Sequence, residues 1–133
     1  MGEIRNLWGK IPEKPEGTLP RIILNKQKEY LDQEVGDEIV SEINHSKERG
    51  KVRFRLSVYP VESDELQTDI VSVLHGINIY PASIKNEITG EEPWQADNEE
   101  SFMRHLERVL SSPDVMNTIN RFRLMSSAHK KQI

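Results

Sequence analysis

The chain has 133 residues, 35% of them hydrophobic and 30% charged, with a net charge of −4 and no cysteine. That length suits one domain with a core of its own. Without thiols there is no disulfide framework, no thiolate metal site and no cysteine nucleophile. The negative balance disfavours coating of nucleic acid or of anionic membranes. No run approaches the roughly 18 apolar residues of a membrane span, and the start, MGEIRNLWGK, lacks a signal-peptide core. A soluble cytoplasmic α+β domain is the expectation.

Residues 1–18 read as an extended arm. Pro12, Pro15, Pro20 and Gly17 fix or loosen the backbone of the first twenty residues. Leu7, Trp8 and Ile11 lie within it and need a dry surface, either on the domain or on a neighbouring subunit. A helix is expected over 19–35, with Thr18 as N-cap, Pro20 in the first turn and Gly36 as the stop. Its stripe is Ile23, Leu24, Gln27, Tyr30, Leu31 and Val35. The period then changes from 3.6 to 2. Residues 39–44 give a modest strand, and 47–50 a polar turn. Val52, Phe54, Leu56 and Val58 alternate with Arg53, Arg55, Ser57 and Tyr59 in the clearest strand of the chain. A third strand is expected over 66–75 and a fourth over 77–84, followed by a loop over 86–96.

An unbulged hairpin places Phe54 opposite Val73 and Leu56 opposite Val71, with Arg55 opposite Ser72, Ser57 opposite Ile70 and Tyr59 opposite Thr68. One face is then apolar. The other is mixed, because Ile70, Leu74 and Tyr59 fall on it. Asp97 or Asn98 starts a second helix carrying Phe102, Leu106, Val109 and Leu110, and Asp97 with Glu100 resembles a capping box. Ser112-Pro113 starts a third helix, with Val115, Met116, Ile119 and Phe122. A polar, fraying tail is expected over 126–133. The order is α-β-β-β-β-α-α: an N-terminal helix, a four-stranded antiparallel sheet and two C-terminal helices, with the single domain spanning 19–125.

Three segments together resemble a group of short uncharacterised bacterial proteins. They are Leu7-Trp8-Gly9, the run His75-Gly76-Ile77-Asn78-Ile79-Tyr80-Pro81, and Leu106 with Leu110-Ser111-Ser112-Pro113. The resemblance implies a bacterial, cytoplasmic, single-domain protein and carries no activity with it.

Chemistry-bearing patterns are sparse. His75 ends a strand beside Gly76, with Tyr80 nearby, which is a place for a general base in a small enzyme. A bond from its ring to a carbonyl in the turn explains it as well. His105, between Arg104 and Arg108, fits a solvated helix face, and His45 and His129 fit exposed positions. There is no HExxH, calcium loop, phosphate-binding glycine loop or GxSxG elbow, so neither metal nor cofactor is expected. The acidic stretches at 62–65 and 91–100 suit a wet turn and a helix start.

Lys51, Arg53 and Arg55 line a strand with Tyr59, a pattern that single-strand nucleic-acid readers use. Arg121, Arg123, Lys130 and Lys131 add bases towards the C-terminus. The overall charge opposes that role. The reading is therefore a small non-enzymatic protein-interaction module: an accessory, regulatory or antidote-type subunit that binds a protein partner or itself as a homodimer. Its contact residues are expected to be Trp8, Tyr59, Ile70, Leu74 and Trp94. Nucleic-acid binding through Arg53, Arg55 and Tyr59 is one alternative, and an enzyme centred on His75 and Tyr80 is a second.

Overall fold

The computed structural model describes the backbone of residues 2–132 and the side chains of residues 2–126. His129, Lys130 and Lys131, expected in a basic tail, have side chains outside the described residues. After the arm come α1 (Pro20–Val35), β1 (Ile39–Glu48), β2 (Lys51–Pro60), a 3-10 turn (Asp64–Leu66) and β3 (Thr68–His75). Then follow β4 (Ala82–Asn86), β5 (Trp94–Ala96), α2 (Glu99–Leu110) and α3 (Pro113–Gln132). The strands form one antiparallel sheet in the order β1-β2-β3-β4-β5.

The α+β architecture is as expected, with a fifth strand added. Trp94–Ala96, expected in a loop, pairs with β4 from Ala82 to Ile84. The fourth strand starts later than expected, because residues 76–81 are taken up by a turn. There the Ile79 amide donates to the Gly76 carbonyl at 3.0 Å, Ile79 has φ +70°, and the Tyr80–Pro81 peptide is cis. β1 runs longer than expected. Only Arg49 and Gly50, both at positive φ, make the turn, so Glu48 pairs directly with Lys51. Two positive-φ residues are what a tight hairpin requires, and glycine meets that need without a Cβ penalty.

The register of β2 on β3 is as expected from Phe54–Val73 to Leu56–Val71 and then slips. A bulge between Leu56 and Ser57 sets Ser57 against Asp69 and Val58 against Thr68, instead of Ser57 against Ile70 and Tyr59 against Thr68. The Ser57 hydroxyl donates to Asp69 Oδ1 at 2.6 Å. The slip turns Ile70 into the core, where it is 1% exposed. The face away from the helices thereby loses Ile70 and is mostly polar, with Tyr59 and Leu74 half-buried on it.

All three helices cover the other face. α1 lies over β1 and β2, α2 over β3, β4 and β5, and α3 over β2 and β1. Leu24, Ile39, Val58, Val71, Val73, Ile84, Phe102, Leu106 and Val115 fill the layer between. α3 is anchored beyond the expected end of the domain. Ser126 is fully buried, and its hydroxyl donates to the Glu38 carbonyl at 2.7 Å and lies 3.0 Å from Glu62 Oε2. The helix then continues to Gln132 in place of the expected tail.

Gly36 ends α1 and Ser112-Pro113 starts α3 as expected, whereas the N-cap of α1 and the capping box of α2 each sit one residue later. Leu19 occupies the N-cap of α1 with no side-chain bond, and Pro20 follows it. The Thr18 amide instead donates to Glu99 Oε1 at 2.7 Å, which ties the start of α1 to the start of α2. Helix α2 is capped by Asn98 and Ser101 rather than by Asp97 and Glu100. Asn98 Oδ1 accepts from the Ser101 amide at 2.8 Å, and Ser101 Oγ accepts from the Asn98 amide at 3.3 Å. Asn98→Ala is expected to cost about 1 kcal/mol in urea unfolding. Asp97→Ala is expected to cost less than half of that, and equal losses would contradict this assignment.

Candidate functional site

Over the middle of the sheet the helices leave a gap. α1 and α2 sit towards opposite edges, and the start of α3 crosses between them. The gap is an apolar cavity of about 200 Å³ floored by Leu56, Val58 and Ile70 of the sheet. Tyr30 and Leu31 of α1 form one wall, and Leu110, Val115, Met116 and Ile119 form the other. The opening continues along α1 and α2 past Ile23, Met103 and Leu106 as a second hollow of about 360 Å³. Gln27, Leu110 and Met116 are shared by both stretches. Tyr30, Met103 and Met116 are large side chains left 50%, 47% and 45% exposed along its lips. Glu34 of α1 and Glu107 of α2 stand on its two sides. Neither carboxylate is in an ion pair among the described residues.

Such a groove is chemically suited to apolar side chains. Ligand sites are concave and mostly apolar with a few polar groups at the edge. Methionine adds a flexible, polarizable surface that adapts to different partners. Among the described residues no group of three or more His, Asp or Glu residues is placed to hold a metal, and no helix is long and apolar enough to cross a membrane.

No known protein family, curated protein or solved structure matches the chain.

The residues singled out from sequence fall in four separate places. Trp8 stands off the domain in the arm and is 80% exposed. Trp94 of β5 packs on α2: its ring centroid is 4.8 Å from that of His105, and the Arg108 guanidinium lies 5.2 Å from the ring centre. Ile70, expected on the outer sheet face, belongs to the floor of the groove, because the bulge reverses it. Tyr59 and Leu74 lie half-buried on the polar face, where the Tyr59 hydroxyl donates to Glu42 Oε1 at 3.3 Å. Burial, with Glu42 and Asp64 nearby, raises the Tyr59 pKa.

On that polar face Arg53 makes a two-pronged contact with Glu48, from Nε to Oε1 at 2.7 Å and from Nη2 to Oε2 at 3.0 Å. Its third nitrogen donates to Ser72 Oγ at 3.2 Å. Arg55 donates to Ser46 Oγ at 2.9 Å and reaches the same Glu48 at 3.5 Å. The Arg53 hydrogen bonds hold the Glu48 carboxyl below its ordinary range. Both guanidiniums are thus engaged with an acid of the same sheet.

His75 and Tyr80 do not form an acid–base pair. The His75 ring stacks on Phe54 at 6.0 Å between centroids, and its Nδ1 lies 3.0 Å from the Gly76 carbonyl oxygen. The Tyr80 hydroxyl is buried without a hydrogen-bond partner among the described residues, and burial raises its pKa. His105 is not the solvated residue expected. Its Nδ1 is buried without a hydrogen-bond partner among the described residues. Burial, with Arg108 and Arg104 adding to it, lowers its pKa from the ordinary 6.5.

The folded-state pKa of His105 is depressed, so the unfolded chain binds the extra proton first as pH falls. Its effect on stability is absent above about pH 7.5 and becomes a penalty as pH drops through about 6.5. In urea unfolding, H105Q is expected to lose less stability than wild type between pH 7.5 and pH 5. Parallel losses would contradict this role.

The groove itself was not among the sites expected from sequence. Tyr30, Leu110, Val115, Met116 and Ile119 fall on apolar helix faces in the sequence and Ile70 on the mixed sheet face, but the gap arises only from how the helices sit over the sheet. The available signal was Met103 and Met116, two methionines beside rather than within the tightest-packed positions of α2 and α3.

Proposed function

We propose that this protein is a protein-interaction module, an accessory or regulatory subunit whose groove between α1, α2 and α3 takes an apolar helical segment. The observation that carries the reading is the groove: core side chains of the sheet form its floor, and exposed Tyr30, Met103 and Met116 form its lips. A helix laid in a groove is recognised through apolar anchors at i, i+3, i+4 and i+7. Carboxylates on both sides favour an occupant with basic flanks.

The two alternatives draw less support. Nucleic-acid binding needs free cations, whereas Arg53 and Arg55 are both engaged with Glu48. An enzyme centred on His75 needs a partner acid or base, and the His75 ring is engaged with Phe54 and its own turn.

Selection of binding peptides from a random library tests the proposal. The selected sequences are expected to carry apolar residues at helical spacing with basic flanks, and to lose binding to the M116K variant. Selected peptides without that period, or ones indifferent to M116K, would sink the reading.

A further inference from the structure

Building on that reading of the groove, we propose that its occupant is the N-terminal arm of a second copy of this chain. Residues 4–11 dock as a short helix, and each copy gives its arm to the other. Among the described residues the arm holds the most exposed cluster of large apolar side chains. Ile4, Leu7, Trp8 and Ile11 are 95%, 78%, 80% and 68% exposed. Their spacing is i, i+3, i+4 and i+7, so a helix puts all four on one stripe. At about 100° per residue, Arg5 falls roughly 110° to one side of that stripe and Lys10 roughly 110° to the other. The groove offers the matching arrangement, with Glu34 on the α1 side and Glu107 on the α2 side.

The arm is extended when free for a physical reason. An eight-residue helix is too short to hold in water, and Gly9 in its middle weakens it further. A surface that accepts the stripe supplies what the segment lacks.

Two features favour a second copy over the arm's own domain. Pro12 and Pro15 stiffen the joining stretch, which at about 3.1 Å per residue carries the arm roughly 20 Å from α1. The area also fits. One Trp and three aliphatic side chains bring roughly 500 Å², with about as much again from the groove. Two reciprocal arms then bury on the order of 2,000 Å², the scale of a stable dimer, whereas one arm reaches only half of that.

Sedimentation equilibrium tests the exchange. The full chain is expected to form a reversible dimer, and W8A, M116K and the chain lacking residues 2–11 are expected to be monomers. The last two complement each other, since one keeps its arm and the other its groove; mixing them should give a 1:1 complex held by a single arm, weaker than the reciprocal dimer but absent from either variant alone. G9A should tighten the dimer about twentyfold through helix propensity, about fivefold for each of its two arms.

A full chain that stays monomeric overturns the inference, as does a dimer that survives loss of the arm. Trp8 fluorescence already buried in a monomer, which signals docking in its own groove, overturns it too. A synthetic peptide of residues 2–14 separates the two levels. If the armless chain refuses it but takes library-selected amphipathic peptides, the exchange falls and the groove's function stands. If it takes neither, both fall.

Discussion

Phe102→Ala is expected to remove about 3–5 kcal/mol of folding stability. Phe102 is fully buried, the largest such side chain in the core, and it sits where α2 packs on β4 and β5. Truncation leaves a cavity that helix and sheet cannot close together, because Ala82, Ile84 and Ala96 beneath are held by strand pairing. A domain of this size has only about 5–15 kcal/mol to lose. The variant is therefore expected to be marginal, with an unfolding midpoint in urea near half that of wild type. A loss under about 1 kcal/mol would mean that α2 is not anchored through this ring.

Met116→Lys is expected to do the opposite: large for binding and small for folding. Met116 is 45% exposed at the start of α3, so a lysine keeps its stem on the surface and its ammonium in water. The stability change is expected within about 0.5 kcal/mol. An occupant's apolar side chain, in contrast, meets a desolvated cation in the common wall of both stretches of the groove. A loss of at least 2 kcal/mol in binding, roughly thirtyfold or more, follows if Met116 is a central contact. Comparable losses in binding and folding would show that the residue acts through structure alone.

The fold was largely legible in the sequence because its signals are local. Periodicity set the three helices and the central hairpin, and the apolar pairing of Phe54 with Val73 and Leu56 with Val71 set the register. What was not legible depends on distance or on a single irregularity. The bulge after Leu56 moves Ile70 from the outer face to the floor of the groove, and alternation alone places that residue on the wrong side. β5 is three residues long and is specified by pairing with β4 rather than by its own composition.

The site was less legible than the fold. Trp94 stood out as an unplaced aromatic, yet it is covered by His105 and Arg108 of α2. Arg53 and Arg55 read as a basic stripe because Glu48, the acid that engages both, lies across a hairpin turn. The groove is a gap between elements and has no sequence motif of its own. Trp8 lies in an arm, as the prolines imply, but is 80% exposed rather than docked on its own domain, and Tyr59 and Leu74 keep their expected place on the outer sheet face.

The central claim is that the groove between the helices receives an apolar helical segment. Methionine methyl labelling reads it directly. Met103 and Met116 line the groove, while Met125 lies outside it, half-exposed towards the far end of α3. Titration of the labelled protein with a library-selected amphipathic peptide is expected to shift the Met103 and Met116 methyl resonances and leave Met125 in place. A shift at Met125 with Met103 and Met116 unmoved would contradict the account.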